Sequence, residues 1–92
     1  MSEIVHDKEN REFTLNLHGG HKAYVSYSME GEIMKLVYSK VPDELSGQGI
    51  GKLLVEKTFE KLTKEGYKAI AICSYIRLIA MRSNKWKEII HY

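Results

Sequence analysis

The chain has 92 residues, 43% hydrophobic and 28% charged, which is enough for one small domain near the lower end of the size that buries a core unaided. Its 14 basic and 12 acidic side chains leave a net charge of +2, too little for the strong basic field of a nucleic-acid binder. The only cysteine, Cys73, excludes both an intramolecular disulfide framework and a cysteine-built zinc site.

The apolar stretches around Ile70–Cys73 and Ile76–Met81 are too short to span a bilayer. With no staples and no signal-peptide pattern, we expect one cytoplasmic domain over residues 1–92. Charge is distributed unevenly: Lys68, Arg77, Arg82, Lys85 and Lys87 face Glu88 alone in the last quarter, which could therefore face an anion.

A short first strand near Ile4–His6 is weakly signalled. Phe13, Leu15 and Leu17 then alternate with polar residues, the period of a half-buried strand. Gly19-Gly20 suits a hairpin turn, and alternation resumes with Ala23, Val25, Tyr27 and Met29 on one side. After Glu30-Gly31, a third long strand over residues 32–39 places Met34, Leu36 and Tyr38 on one side. This much is an antiparallel meander.

Beyond Val41–Gln48 the period becomes helical. Ile50, Leu54, Thr58 and Leu62 form an i+4 row, widened by Leu53, Val55 and Phe59, and Glu60 and Lys64 suit an exposed i,i+4 pair. Gly66 is a natural helix stop. Residues 68–73 read as a strand apolar on both faces, as expected of a parallel pair buried on both sides. Strand 32–39, helix 49–65 and strand 68–73 thus make one right-handed βαβ unit in an α+β fold. Ser74–Met81 predicts a second helix and Asn84–Ile90 a final helical turn or two, with Tyr67, Trp86, Ile89 and Ile90 read as core.

The glycine-rich turn Ser46-Gly47-Gln48-Gly49-Ile50-Gly51-Lys52 sits between a strand and a helix. Unpaired N–H groups at a helix start form an anion site, and glycine lets the backbone approach phosphate oxygens closely. The spacing fits neither a Walker loop, whose magnesium hydroxyl is replaced by Leu53, nor a dinucleotide fingerprint, whose third glycine would fall at Lys52. A helix entry needing glycine only for packing is the bland alternative.

Val41-Pro42-Asp43-Glu44-Leu45-Ser46-Gly47-Gln48-Gly49-Ile50-Gly51 resembles motif A of the GCN5-related N-acetyltransferases, and is similar to their small stand-alone YjdJ-like type. Cys73-Ser74-Tyr75 and Lys85-Trp86-Lys87-Glu88-Ile89-Ile90 resemble later features of that type, so the likeness runs from about Glu12 to Ile90. It implies a minimal acetyltransferase fold with splayed parallel strands. It also implies that the backbone of Val41 and the amides of Ser46, Gly47, Gln48, Gly49, Ile50, Gly51 and Lys52 bind acetyl-CoA. The family usually has arginine or glutamine at Ser46, and the subfamily often has His-Thr at Tyr38-Ser39.

Cys73 ends its strand beside a helix start, a setting in which reactive cysteines occur. In the resembling subfamily the equivalent cysteine is a proposed catalytic residue; a small buried hydrophobe is the other reading. By the same resemblance Tyr75 could protonate a departing thiolate, or it is a half-buried ring. His18 and His21 bracket a turn without further ligands, so no metal is expected; His6 and His91 have nothing to orient them; and Glu44 is a possible base but more readily a solvated charge. The expected function is acetyl-CoA-dependent N-acetylation of a small or peptide amine, with no nucleic-acid or membrane partner. The alternative is a non-catalytic CoA-binding module used for sensing or partner contact. Oligomeric state is left open.

Overall fold

The computed structural model describes residues 3–45 and 47–92. Five strands form one sheet in the order β1 (Ile4–Asp7), β2 (Glu12–Asn16), β3 (Lys22–Glu30), β4 (Ile33–Lys40) and β5 (Lys68–Ala71). The first three pairings are antiparallel and β4–β5 is parallel. Helix α1 (Ile50–Lys64) makes the crossover between the parallel strands, and α2 (Ser74–Arg82) follows β5. The expected meander and βαβ unit are both present, and the fold is α+β.

The core lies on one side of the sheet. Phe13, Leu15, Val25, Met34, Leu36 and Ala71 are fully buried there against Leu54, Val55, Phe59 and Leu62 of α1 and Ile76 and Ala80 of α2. Thr58, also buried on α1, keeps its hydroxyl satisfied by donating to the Leu54 carbonyl at 2.8 Å. Trp86, in a final short 3₁₀ turn, packs its ring 5.3 Å from that of Phe59. The residues of the opposite face are all exposed or half-buried.

Four expectations need correction. Strand β5 is not buried on both faces: Ala69 and Ala71 face the helices, whereas Ile70 is half-buried and Ile72 is 46% exposed, because no element lies across the other side. Tyr38 does not share a side with Met34 and Leu36. The β3–β4 register slips between Ser26 and Tyr27, making Val37 an extra residue on β4, and the bulge reverses the alternation so that Ser39 pairs with buried Val25. Leu53 and Ile89 are exposed, lying at the margin of their apolar faces. The ion pair seen on α1 joins Lys61 to Glu65 at 3.6 Å, one position beyond the expected Glu60–Lys64.

His6 is well oriented, contrary to expectation. Its side chain is 3% exposed and stacks on Phe13, with ring centroids 4.2 Å apart. Nδ1 hydrogen-bonds with Glu65 Oε1 at 2.6 Å, and Nε2 with the Tyr27 hydroxyl at 2.5 Å. Burial tends to raise the Glu65 carboxyl, but the hydrogen bond and charge of His6, with Lys61 and Lys8, outweigh it and hold the group below its ordinary value. Burial, reinforced by Tyr67, pushes the Tyr27 phenol up.

Candidate active site

The parallel strands part company at one carbonyl. Ile72 and Cys73 both donate their N–H to the Leu36 oxygen, each at 3.0 Å, and the chain then turns into α2. Strand β4 runs on to Lys40 without β5 beside it. The opening is a cleft of about 370 Å³ lined by Tyr38, Ser39, Val41 and Leu45 on the β4 side, Gly47 and Gly51 at the start of α1, and Cys73 and Tyr75 at the start of α2.

One wall is the glycine turn. Gly47 and Gly49 have φ of +81° and +78°, which side-chain-bearing residues rarely adopt. A Cβ on either would meet nothing within 4 Å, so both backbones face open space. Gly49 is the N-cap of α1 and supplies no side-chain cap. The first N–H groups of the helix have no intrahelical acceptor, and they point out of the turn with the positive end of the helix dipole behind them. Space where Cβ atoms would stand, next to free amides, fits a phosphate group. Ser46 lies outside the described residues.

The other wall carries the reactive side chains. Cys73 is half-buried at the N-cap of α2, with Sγ 3.9 Å from the hydroxyl of Ser39. It lines the cleft and also packs against the core, so the two readings of this residue are not exclusive. Tyr75 is 42% exposed, and its hydroxyl lies 2.5 Å from where a Cβ on Gly51 would be. A side chain at Gly51 would therefore require the exposed phenol to move. Tyr75 also borders a second groove of about 320 Å³ between α1 and α2, where Lys52 and Arg82 face each other across Leu78 and Ile79.

Of the residues singled out in sequence, the structure brings Val41, Gly47, Gly51, Cys73 and Tyr75 to one cleft. Gln48 and Gly49 are exposed on the turn, Ile50 packs its side chain on the core, and Lys52 lines the second groove. Leu45 and the Leu36 carbonyl were not foreseen; a backbone acceptor leaves no trace in the residue type. His21 approaches Glu44 at 3.4 Å as an exposed pair, and no metal-binding cluster occurs among the described residues.

A family model described as GCN5-related N-acetyltransferase matches residues 12–89. The chain belongs to that family. Protein NATD1 of Gallus gallus is 35% identical over 77 residues, 82% of this chain and 70% of the relative. The Homo sapiens protein of the same name is 36% identical over 76 residues, 80% of this chain and 67% of the relative. A solution structure described as GCN5-like, from Staphylococcus aureus, superposes with a TM-score of 0.68 at 23% identity, covering 96% of this chain and 86% of that one, and so supports the fold. Membership supports acetyl transfer to an amine in general terms, and no described helix is long and apolar enough to cross a membrane.

Proposed function

We propose that this protein is an acetyl-CoA-dependent N-acetyltransferase that modifies a small amine or a peptide amine in the cytoplasm. The observation that carries the reading is the joining, in one cleft, of Gly47 and Gly51 of the glycine turn with Cys73 and Tyr75. The amides of residues 47–52 would hold the pyrophosphate, and Val41, where β4 has left β5 behind, would border the pantetheine arm. Acetyl-CoA supplies an activated acyl group as its thioester.

The chain's own residues divide the remaining work. We assign Cys73 the role of acyl acceptor, its sulfur 3.9 Å from the Ser39 hydroxyl on the wall of the cleft: the thioester bond to CoA would break as the bond to Cys73 sulfur forms, and the amine would then take the acyl group from Cys73 and restore its sulfur. Tyr75, on the same wall, would give a proton to the departing CoA thiolate. The exposed edge of β4 beyond Leu36 leaves room for an amine to enter.

Mass spectrometry after incubation with acetyl-CoA tests this. We expect release of CoA and a hydroxylamine-labile acetyl group on the peptide containing Cys73. Cys73→Ala should lose turnover while retaining CoA binding, because the glycine turn is untouched. If Cys73→Ala instead acetylates amines at the unaltered rate and only loses about 1 kcal/mol of stability through a small cavity, the cysteine is a packing residue. Binding of CoA without turnover on a broad amine panel would favour the non-catalytic module.

A further inference from the structure

The cleft holds its cysteine without an acid or base beside it. None of the described residues that line it is an aspartate, glutamate, histidine, lysine or arginine. The histidines are engaged or placed elsewhere: His6 is held by Glu65 and Tyr27, His21 approaches Glu44, His18 lies in the turn before β3, and His91 bridges to Ile70. A cysteine nucleophile acts as its thiolate, and where no base adjoins it the thiolate has to be favoured by hydrogen-bond donors and dipoles.

An irregularity of the sheet puts one donor there. Leu36 pairs with Tyr27, and unbroken alternation from that point would set Tyr38 against Val25 and Ser39 against Tyr24. The extra residue Val37 shifts the ladder, so Ser39 faces Val25 instead, in a row buried on the helix side. A bulge beside an active site re-aims a side chain, and this one brings a hydroxyl to 3.9 Å from the Cys73 sulfur. The same strand fixes the cysteine's backbone: the Cys73 N–H donates to the Leu36 carbonyl at 3.0 Å, and the Cys73 carbonyl accepts from the Arg77 N–H at 2.9 Å. Cys73 is also the N-cap of α2, a helix capped by no side-chain hydrogen bond, so the positive end of its dipole acts in the same direction as the hydroxyl.

We propose that Ser39 is a positioning residue for Cys73, its hydroxyl donating to the Cys73 thiolate and holding the charged sulfur at the wall of the cleft. This rests on the reading of Cys73 as acyl acceptor and adds one residue to it. The Cys73 proton passes to a base in bulk water. As the bond from sulfur to the acyl carbon forms and the thioester bond to CoA breaks, the negative charge leaves Cys73, and Tyr75 gives its proton to the CoA sulfur and regains one from water. When the amine takes the acyl group, the bond from Cys73 to the acyl carbon breaks and its electron pair returns to the sulfur. Ser39 again donates to that sulfur, and the proton lost by the amine passes to water. The serine keeps its own proton throughout.

Alkylation by iodoacetamide tests it on the full chain, because Cys73 is the only cysteine and the rate reports that sulfur alone. At neutral pH, Ser39→Ala should react about three- to tenfold more slowly: a hydrogen bond to a charged group is lost, partly offset by a more nucleophilic sulfur. Ser39→Thr keeps the hydroxyl on a side chain that suits a strand and should restore the rate to within about twofold. CoA affinity by calorimetry should be unchanged in both variants, so any loss of turnover in Ser39→Ala falls on kcat. Equal alkylation rates in the protein and Ser39→Ala overturn the proposal. Faster alkylation in Ser39→Ala also overturns it, since the thiol would then be parked as a donor to the serine oxygen. A Ser39→Thr rate as low as that of Ser39→Ala overturns it too, as the hydroxyl would not be what matters. The acetyl-transfer reading fails on a separate observation, the absence of an acetyl group on Cys73 after incubation with acetyl-CoA. Slower alkylation in Ser39→Ala, restored in Ser39→Thr, would in that case still show Ser39 holding a reactive thiol.

Discussion

The two ends of α1 are built on opposite plans. At its C-terminus every orphan carbonyl that a short turn can reach is used: Gly66, at φ +88°, donates to Thr63 at 3.0 Å and Tyr67 donates to Leu62 at 2.9 Å, the pairing of a Schellman stop. Lys61 pairs with Glu65, and Glu65 with the buried His6 of β1. At the N-terminus the cap is Gly49, which has no side chain to accept a helix N–H, and no side-chain hydrogen bond caps the helix. One end is closed by the chain itself and the other has no side-chain cap. A helix terminus left without a cap gives up the roughly 1 kcal/mol that serine or aspartate would contribute, and this one does so where the cleft opens.

The comparison breaks most sharply if the glycines at the two ends behave alike. Replacing Gly47 and Gly49 together by alanine forces two left-handed residues, costing about 1–2 kcal/mol each in stability. It also fills the cradle, so CoA affinity measured by calorimetry should fall at least about a hundredfold, the worth of two charged hydrogen bonds. Gly66→Ala should cost a similar amount of stability for its own positive φ and leave CoA affinity unchanged. Equal loss of affinity in both variants would show that the turn acts through stability alone.

His6→Ala sharpens the closed end. The ring is 3% exposed and bonded at both nitrogens, so its removal opens a cavity against Phe13 and strands Tyr27 and Glu65. Urea unfolding should show a loss of about 2–3 kcal/mol, with CoA binding preserved. A loss under about 0.5 kcal/mol would mean that β1 is held by its ladder alone.

The fold was legible where periodicity and turn chemistry agree, as in the alternation of Phe13 and Leu15 and the stop at Gly66. Its errors share a cause. The bulge at Val37 reverses the facing of Tyr38 and Ser39 without any change of residue type, and a run such as Ala69–Ile72 gives no sign of which face a neighbour will cover. The glycine turn at the strand–helix junction was legible from spacing alone, whereas the approach of Tyr75 to Gly51 depends on a helix crossing that no local pattern encodes. His6 was misjudged because its partners lie 21 and 59 residues away.

The smallest effect is in the acid limb of stability, and it tests how the closed end is held. The folded-state pKa of Glu65 lies below the ordinary 4.5, so the folded protein binds that proton less readily than the unfolded chain. Its contribution is therefore fully present above about pH 4.5 and is lost as pH falls through the lowered value. Asp7 and Glu30 are lowered by their own partners, Asn10 and Lys35, and add the same sign of slope. Comparing the protein with Glu65→Gln isolates the one group, since the other two titrate in both. Unfolding free energies from urea titration should differ by less than about 1 kcal/mol at neutral pH, as expected for a pair near the surface, and the difference should shrink below about pH 4.5. His6→Gln should flatten the limb in the same way, because the hydrogen bond and charge of His6 are what depress the carboxyl. Parallel pH profiles for the protein and Glu65→Gln between about pH 7 and 3 would mean that Glu65 titrates as it does in the unfolded chain. The contact with His6 would then be a neutral packing contact, and the closed end of α1 would rest on its Schellman stop and on Phe13.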